Sequence, residues 1–539
     1  MLRNRLLLPL VLCVASTSWA AVPDWLRSAA HETLPKYKDD TNGVILLHEE
    51  ITNVDANGEI RTTYREAIKI LRPIAREELS HVAVHFDNET KLTWLKGWSI
   101  TASGQEYEVK EKDAVETNAF SDNFMSDSRM KMLQIPGADV GTVVGYEYQQ
   151  RWRPSVYEDI WSFQRSLPVH TSRYMLHLPA GWEYEIFWNN HAKIEPSVSG
   201  SDISWQATDI PAVEQEDYMP PWRAIAGRML LHILSPNGQK ASGANWERVG
   251  SWYSSLISDR RDSSPEMKKQ VQDLTANSKT TLDKMEVLSH WVQKEIRYVA
   301  IEIGIGGFQP HHASEIYRNR YGDCKDKVTL LSAMLKEIGV DSEYVLIHTS
   351  RGVVKPDSPS AVTFNHVIAG IRLPKDVPTD SLYALYSHPK LGTLLLFDPT
   401  DDLTPFGYLP STLQETKALL VSNNSGEIIS TPLLPATKNV LRRSGKLKLA
   451  ADGSLAGQVE EVRQGVVGRD FRERLLGQEL KDRAKSIESV LSGTIAAFEL
   501  TKAEVGNLDR ANEPLMVRYT FVAPSYAKKA GGLLLVRPR

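Results

Sequence analysis

A single cysteine stands in the chain beyond residue 20, and its surroundings constrain the fold more than any other stretch. Arg318-Asn319-Arg320-Tyr321-Gly322-Asp323-Cys324-Lys325-Asp326-Lys327 runs directly into Val328-Thr329-Leu330-Leu331-Ser332-Ala333-Met334-Leu335-Lys336-Glu337-Ile338-Gly339. Val328, Leu331, Leu335 and Ile338 recur at helical spacing, and Gly339 stands where a C-terminal cap is wanted. Asp323 is suited to the N-cap, which puts Cys324 in the first turn. There the unpaired N–H groups and the positive end of the helix dipole stabilise a thiolate, the reactive form of the side chain. Lys325, Asp326 and Lys327 read as a solvated first turn. Thiolate stabilisation or contact with an acidic substrate are the other uses open to Lys325.

Two later segments offer partners. Phe364-Asn365-His366-Val367-Ile368-Ala369-Gly370-Ile371 is a short apolar run that reads as a strand carrying His366. Leu394-Leu395-Leu396-Phe397-Asp398-Pro399-Thr400-Asp401 reads as another strand, ending at Asp398. A helix-tip cysteine with a histidine and an acid on successive strands meets the needs of nucleophilic thiol catalysis. The imidazole takes the thiol proton and the carboxylate fixes the imidazole's tautomer and orientation.

The run Gly322-Asp323-Cys324-Lys325-Asp326-Lys327, the strand histidine, and Phe397-Asp398-Pro399-Thr400 together resemble the transglutaminase-like (papain-related) superfamily. With Tyr298-Val299-Ala300-Ile301-Glu302-Ile303-Gly304-Ile305-Gly306-Gly307-Phe308-Gln309-Pro310-His311, the chain is similar to exported bacterial proteins that place a β-rich domain of unknown function before such a core. The resemblance covers about residues 40 to 410. It implies a catalytic Cys324, His366 and Asp398, with Gln309 as a candidate oxyanion donor by analogy with the upstream glutamine of papain-like enzymes. The other reading of Gln309 is a structural loop residue.

At 539 residues the chain exceeds one core, and the size prior gives roughly three domains. The net charge of -4 supplies no electrostatic basis for nucleic-acid binding. Residues 1–20 read as an export signal: Arg3 and Arg5 precede the apolar run Leu6 to Ala15, and Ser18-Trp19-Ala20 offers small residues at the cleavage positions. Leu12 before Cys13 is too bulky for the usual lipidation site. No later stretch is apolar enough to span a bilayer, so a periplasmic or secreted protein is expected. Removing the signal leaves Cys324 alone in an oxidising compartment, where cysteines normally pair; a reactive thiol is therefore favoured over a buried inert one.

Residues 21–240 read as a β-sandwich domain. Val44 to Ile51 leads through the turn Asn57-Gly58 to Thr63 to Ile70, and Leu92 to Ile100 runs through Ser103-Gly104 to Tyr107 to Val109. A strand-addition edge for an extended peptide and an aromatic platform (Trp152, Trp161, Phe163, Trp182, Phe187, Trp188) are conceivable, with core packing favoured for both. Residues 245–410 read as the transglutaminase-like domain. Ser264-Pro265-Glu266 starts one helix, and a second, from about Thr281 to Ile296, buries Met285, Leu288, Val292 and Ile296, with Trp291 expected against the cysteine helix.

The glycine run at Gly304 to Gly307 lacks the lysine–serine/threonine pair of a phosphate loop, and no cofactor is expected. His311 and His312 are adjacent, so their side chains diverge, and no metal is expected. Beyond Pro405-Phe406-Gly407 a linker (Asn423-Asn424-Ser425-Gly426, Pro432, Pro435) leads to a β-rich domain at 436–539 with a helix at about Gly468 to Leu491. The final residues read as the middle of a strand or loop, and the natural chain is expected to continue.

The expectation is a multidomain α+β protein: an exported thiol enzyme acting on peptide or protein amide bonds, hydrolysis favoured over transamidation. The alternative is a non-catalytic peptide- or glycan-binding or assembly protein of the cell envelope. No heptads or repeats speak to oligomeric state.

Overall fold

The computed structural model describes residues 22–118, 124–125, 128–236, 245–301 and 304–536. The expected signal at 1–20, Glu302-Ile303 and the last three residues lie outside the described residues. The molecule is α+β, with a large β-rich N-terminal region, a central helix-on-sheet core and a C-terminal sheet.

The Asn57-Gly58 turn does form a hairpin. Gly58 takes a φ of +80°, and Gly43–Val54 and Ile60–Ile70 pair antiparallel on either side of it. They sit inside an eight-stranded sheet, whose one parallel pair joins Gly43–Val54 to Val169–His177. A three-stranded sheet, Glu158–Ser162, Arg228–Leu234 and Glu183–Asn189, packs over it. Met229, Leu231 and Ile233 of the small sheet share a core with Ile45, Ile68, Tyr174 and Trp205 of the large one. Trp161 and Phe163 lie in that core, with Trp152, Trp182 and Trp188 packed against it, so the aromatic concentration is packing. The large sheet's outermost strands, Ser197–Ser199 and Glu106–Lys110, are short, as protected edges tend to be.

In the core, two helices, Trp246–Ile257 and Cys324–Glu337, pack on a six-stranded antiparallel sheet, and three more (Pro265–Thr275, Thr281–Glu295 and Ala313–Asn319) pack against Cys324–Glu337. The strand order is Leu385–His388, Gly392–Phe397, His366–Arg372, Ser342–Ile347, Lys417–Ser422, Ser425–Ser430. Met285, Leu288, Val292 and Ile296 are buried, as their spacing required. Trp291 packs against the core that the cysteine helix shares. It stacks on Tyr317 of the short helix Ala313–Asn319 (5.9 Å between ring centroids) under the Arg320 guanidinium, a cation–π arrangement that binds it there.

The expected linker also needs correction. Asn423 and Asn424, at φ of 49° and 58°, form the tight turn between the last two strands of the core sheet. The core sheet therefore runs to Ser430, past the expected end at 410. Asparagine tolerates the left-handed region, so the pair that looked like a flexible join is a hairpin turn. The C-terminal sheet (Val440–Leu449, Leu455–Gln464, Leu515–Ala523, Glu499–Gly506) is antiparallel. Two helices, Val466–Leu476 and Arg483–Ser492, replace the single long one expected; the first ends at Gly477. No helix among the described residues is long and apolar enough to cross a bilayer.

Candidate active site

Cys324 is the first residue of the helix Cys324–Glu337, and a capping box builds that start. The Asp323 side chain accepts from the Asp326 N–H (3.2 Å), and the Asp326 side chain accepts from the Asp323 N–H (3.3 Å). Lys327 N–H bonds to the Asp323 carbonyl (2.9 Å). The N–H groups of Cys324 and Lys325 are thus the ones left by helix geometry to face outward from the tip. Gly322 is required by the same box, because a Cβ there would stand 2.5 Å from Asp326 Cβ. The thiol is free and 8% exposed.

The sheet brings the other two residues to this helix tip. His366 opens the strand His366–Arg372, which packs under the cysteine helix. Asp398 follows the neighbouring strand Gly392–Phe397. His366 Nε2 lies 2.9 Å from Asp398 Oδ2. The other Asp398 oxygen accepts from Thr400 N–H (2.9 Å) and Thr400 Oγ1 (2.7 Å). Cys324 is the other side chain that acts on this imidazole, raising its basicity.

Charge follows geometry. Burial alone would lower the basicity of His366. The Asp398 carboxylate, then the hydrogen bonds to Asp398 and Cys324, outweigh it and hold the imidazole well above its ordinary value. Asp398 moves the opposite way: burial would raise it, but His366 and the Thr400 bonds keep it below the usual carboxylate value. The arrangement favours an imidazolium held against the Asp398 carboxylate.

The first helical turn is not solvated, contrary to the sequence reading. Lys325, Asp326 and Lys327 are all buried. Lys325 pairs with Asp323; burial would lower the ammonium, while the charges of Asp323 and then Cys324 hold it above its ordinary value. Asp326 accepts from the N–H of His311 (2.8 Å) and sits 3.1 Å from its Nδ1. Lys327 donates to the carbonyls of Gln293 and Ile296 (3.0 Å each) at the end of the preceding helix, and burial pushes it down to about 8. Its place was readable: position 327 lies three residues beyond Cys324 and four before Leu331, on the buried stripe.

Gln309 is not brought to the thiol by any hydrogen bond. Its amide nitrogen donates to the Leu256 carbonyl (3.0 Å) on the helix Trp246–Ile257, the use of a loop brace. His311 and His312 turn to different carboxylates, Asp326 and Asp262. Residues that sequence reasoning missed include Gln293, which donates to the carbonyls of Asp398 (3.4 Å) and Asp401 (2.8 Å), and Arg469 of the C-terminal region, which binds Asp401 (2.9 Å). Both brace the turn that follows Asp398. No spacing signal links them to it, since the contacts are 68 and more than 100 residues apart in the chain.

Residues 268–375, which contain Cys324 and His366, match the transglutaminase-like superfamily. Residues 56–214 match DUF3857, a domain of unknown function with a solved structure. The chain joins a DUF3857 domain to a transglutaminase-like domain. The crystal structure of a candidate protease from Parabacteroides distasonis ATCC 8503 is similar over 89% of this chain and 93% of that one, with a TM-score of 0.55 and 12% identity. That likeness shows a shared fold. Two further structures are similar only at TM-scores of 0.21 and 0.19. One is a candidate cysteine protease from Cytophaga hutchinsonii (10% identity, 66% of this chain, 85% of that one). The other is an M1 zinc metallopeptidase from Deinococcus radiodurans (9% identity, 35% and 42%). No curated protein matches the chain. The transglutaminase-like domain thus carries the thiol, the histidine and, just beyond the matched residues, Asp398.

Proposed function

We propose that the protein is an exported thiol enzyme that cleaves amide bonds of peptides or proteins, with Cys324, His366 and Asp398 as its triad. One observation carries the reading: His366 is bonded to Asp398, and the helix-tip thiol of Cys324 acts on the same imidazole. Membership of a transglutaminase-like superfamily agrees with it.

In this reading the Cys324 thiolate attacks the amide carbonyl, forming the C–S bond as the C=O electron pair moves onto oxygen. The N–H groups of Cys324 and Lys325 hold that oxyanion. Imidazolium His366 gives its proton to the leaving amine as the C–N bond breaks and a thioester remains. Water, deprotonated by His366, then attacks the thioester and frees the acid and the thiol. An amine in place of water would give transamidation; hydrolysis is favoured because water is the abundant nucleophile. Asp398 keeps the imidazole oriented throughout. Residues 1–20 deliver the protein outside the cytoplasm.

The test is covalent capture by iodoacetamide, read by mass at the peptide containing Cys324. The wild-type thiol should react well below the ordinary thiol pKa of about 8.5. Cys324→Ala should abolish capture of a thioester-forming substrate probe without loss of fold. A Cys324 that alkylates only as an ordinary thiol would leave a non-catalytic binding protein as the reading.

A further inference from the structure

The small sheet of the N-terminal β-rich region, two of whose strands lie within the DUF3857 match, has two buried faces, although only one belongs to that region's core. Along Arg228–Leu234, Met229, Leu231 and Ile233 enter the core, while Arg228, Leu230 and His232 alternate to the opposite face. Those three are 5%, 2% and 1% exposed. On the neighbouring strands Glu158 stands opposite His232, and Asn189 opposite Arg228. Both are also buried. A sheet face carrying Arg228, His232, Glu158 and Asn189 has the composition of a solvent face, yet it is covered.

What covers it is the chain between the strands Ser342–Ile347 and His366–Arg372, the segment that delivers His366. Arg228 Nη2 donates to the Val353 carbonyl (2.8 Å), and Ser358 Oγ donates to Asn189 Oδ1 (2.8 Å). Glu158 Oε2 then accepts from Ser360 Oγ (2.8 Å), the Ala361 N–H (3.0 Å) and the Val362 N–H (3.4 Å). Three consecutive residues, ending four before His366, are gathered by one carboxylate from another domain. The connection is long, and its two strand ends alone would not fix its course. Burying a carboxylate is costly unless its oxygens are bonded, and this one is bonded to the histidine's own loop.

Resting on the reading above, we infer that Glu158 is a positioning residue for the thiol site. The core ties Asn365 and His366 back to Ile347, and the N-terminal β-rich region fixes the stretch of chain just before them, so the imidazole is best placed for Cys324 while the two domains are joined. That region is thereby a working part of the site. Displacing a reacting group by about 1 Å can cost on the order of a hundredfold, so a hydrogen-bonded clamp four residues away is close enough to matter.

The experiment measures iodoacetamide alkylation of Cys324 against pH in the full chain, wild type beside Glu158→Gln and Ser360→Ala. Glutamine keeps the volume of Glu158 but turns a donor toward the loop's donors, and Ser360→Ala removes one bond from the loop side. If Glu158 positions His366, Glu158→Gln should lower the rate at pH 6.5 by about tenfold or more, and leave it within about twofold at pH 9.5, where any thiol is ionised. A merely adhesive role would lower the melting temperature and leave that pH profile in place. Folded variants that keep the wild-type profile overturn the inference while the thiol reading stands. A wild-type profile centred near 8.5 overturns the thiol reading itself, and the inference with it. Should Glu158→Gln fail to fold, Ser360→Ala decides between the same two outcomes with a smaller shift.

Discussion

His366 Nε2 lies 2.9 Å from Asp398 Oδ2, and this contact makes a buried imidazole of raised basicity beside the Cys324 thiol. Asp398→Asn keeps the shape and the Thr400 bonds' acceptor but removes the charge that opposes the burial of imidazolium. Amide turnover should fall on the order of 10²–10⁴-fold, and Cys324 alkylation should lose its low-pH component. Unchanged alkylation at pH 6.5 would show that the carboxylate does not sustain the ion pair.

Gln309 supplies a contrast. An oxyanion donor is worth about 10²–10³ in turnover, whereas a side chain bonded to the Leu256 carbonyl acts on its loop. Gln309→Ala should therefore change turnover by less than about threefold, with the main effect on melting temperature. A hundredfold loss in a folded variant would return Gln309 to the site.

The pattern of what could be read beforehand follows from which forces are local. The capping box of Asp323 and Asp326, the buried stripe of the cysteine helix and the Asn57-Gly58 hairpin are fixed by residues within a few positions of one another. The strands of His366 and Asp398 were visible as apolar runs, but their adjacency in the sheet is a property of tertiary pairing. Burial of Lys325 and Lys327 was misread because a charged first turn is normally solvated. Here Asp323 and two helix-end carbonyls supply the partners from distant or already capped groups. Asn423-Asn424 failed for a related reason: a tight turn and a flexible join share a composition, and only the pairing of the flanking strands tells them apart. The clamps from Glu158 and Arg469 join separate domains and leave no periodic trace.

The Lys325–Asp323 pair at the helix tip is almost wholly buried. Removing one member strands the other's charge, so Asp323→Ala should cost about 3–5 kcal/mol, to which loss of the N-cap adds about 1 kcal/mol. The double variant Asp323→Asn with Lys325→Met keeps a capping side chain and removes both charges. It should recover most of that loss in urea unfolding. Equal destabilisation of the single and double variants would show that the pair's charge is not what the tip depends on.

Stability against pH gives the last expectation, and its direction depends on which group titrates. His366 is raised in the folded protein, so the native state binds the proton more tightly than the unfolded chain. Its contribution is fully present below the unfolded value of about 6.5 and is lost as pH rises through the higher folded value. Asp398 is lowered, so its contribution is present above the unfolded value of about 3.9 and is lost as pH falls through the folded one. Lys327 runs against His366. Its folded value is about 8 and its unfolded value 10.5, so between these the unfolded state holds more protons and stability rises with pH. A wild-type curve alone mixes the two slopes. Subtracting the urea-unfolding curve of His366→Gln cancels Lys327, and the remaining difference should decline steadily above about pH 6.5. A flat difference would mean that the imidazole is not held protonated by Asp398 and the thiol.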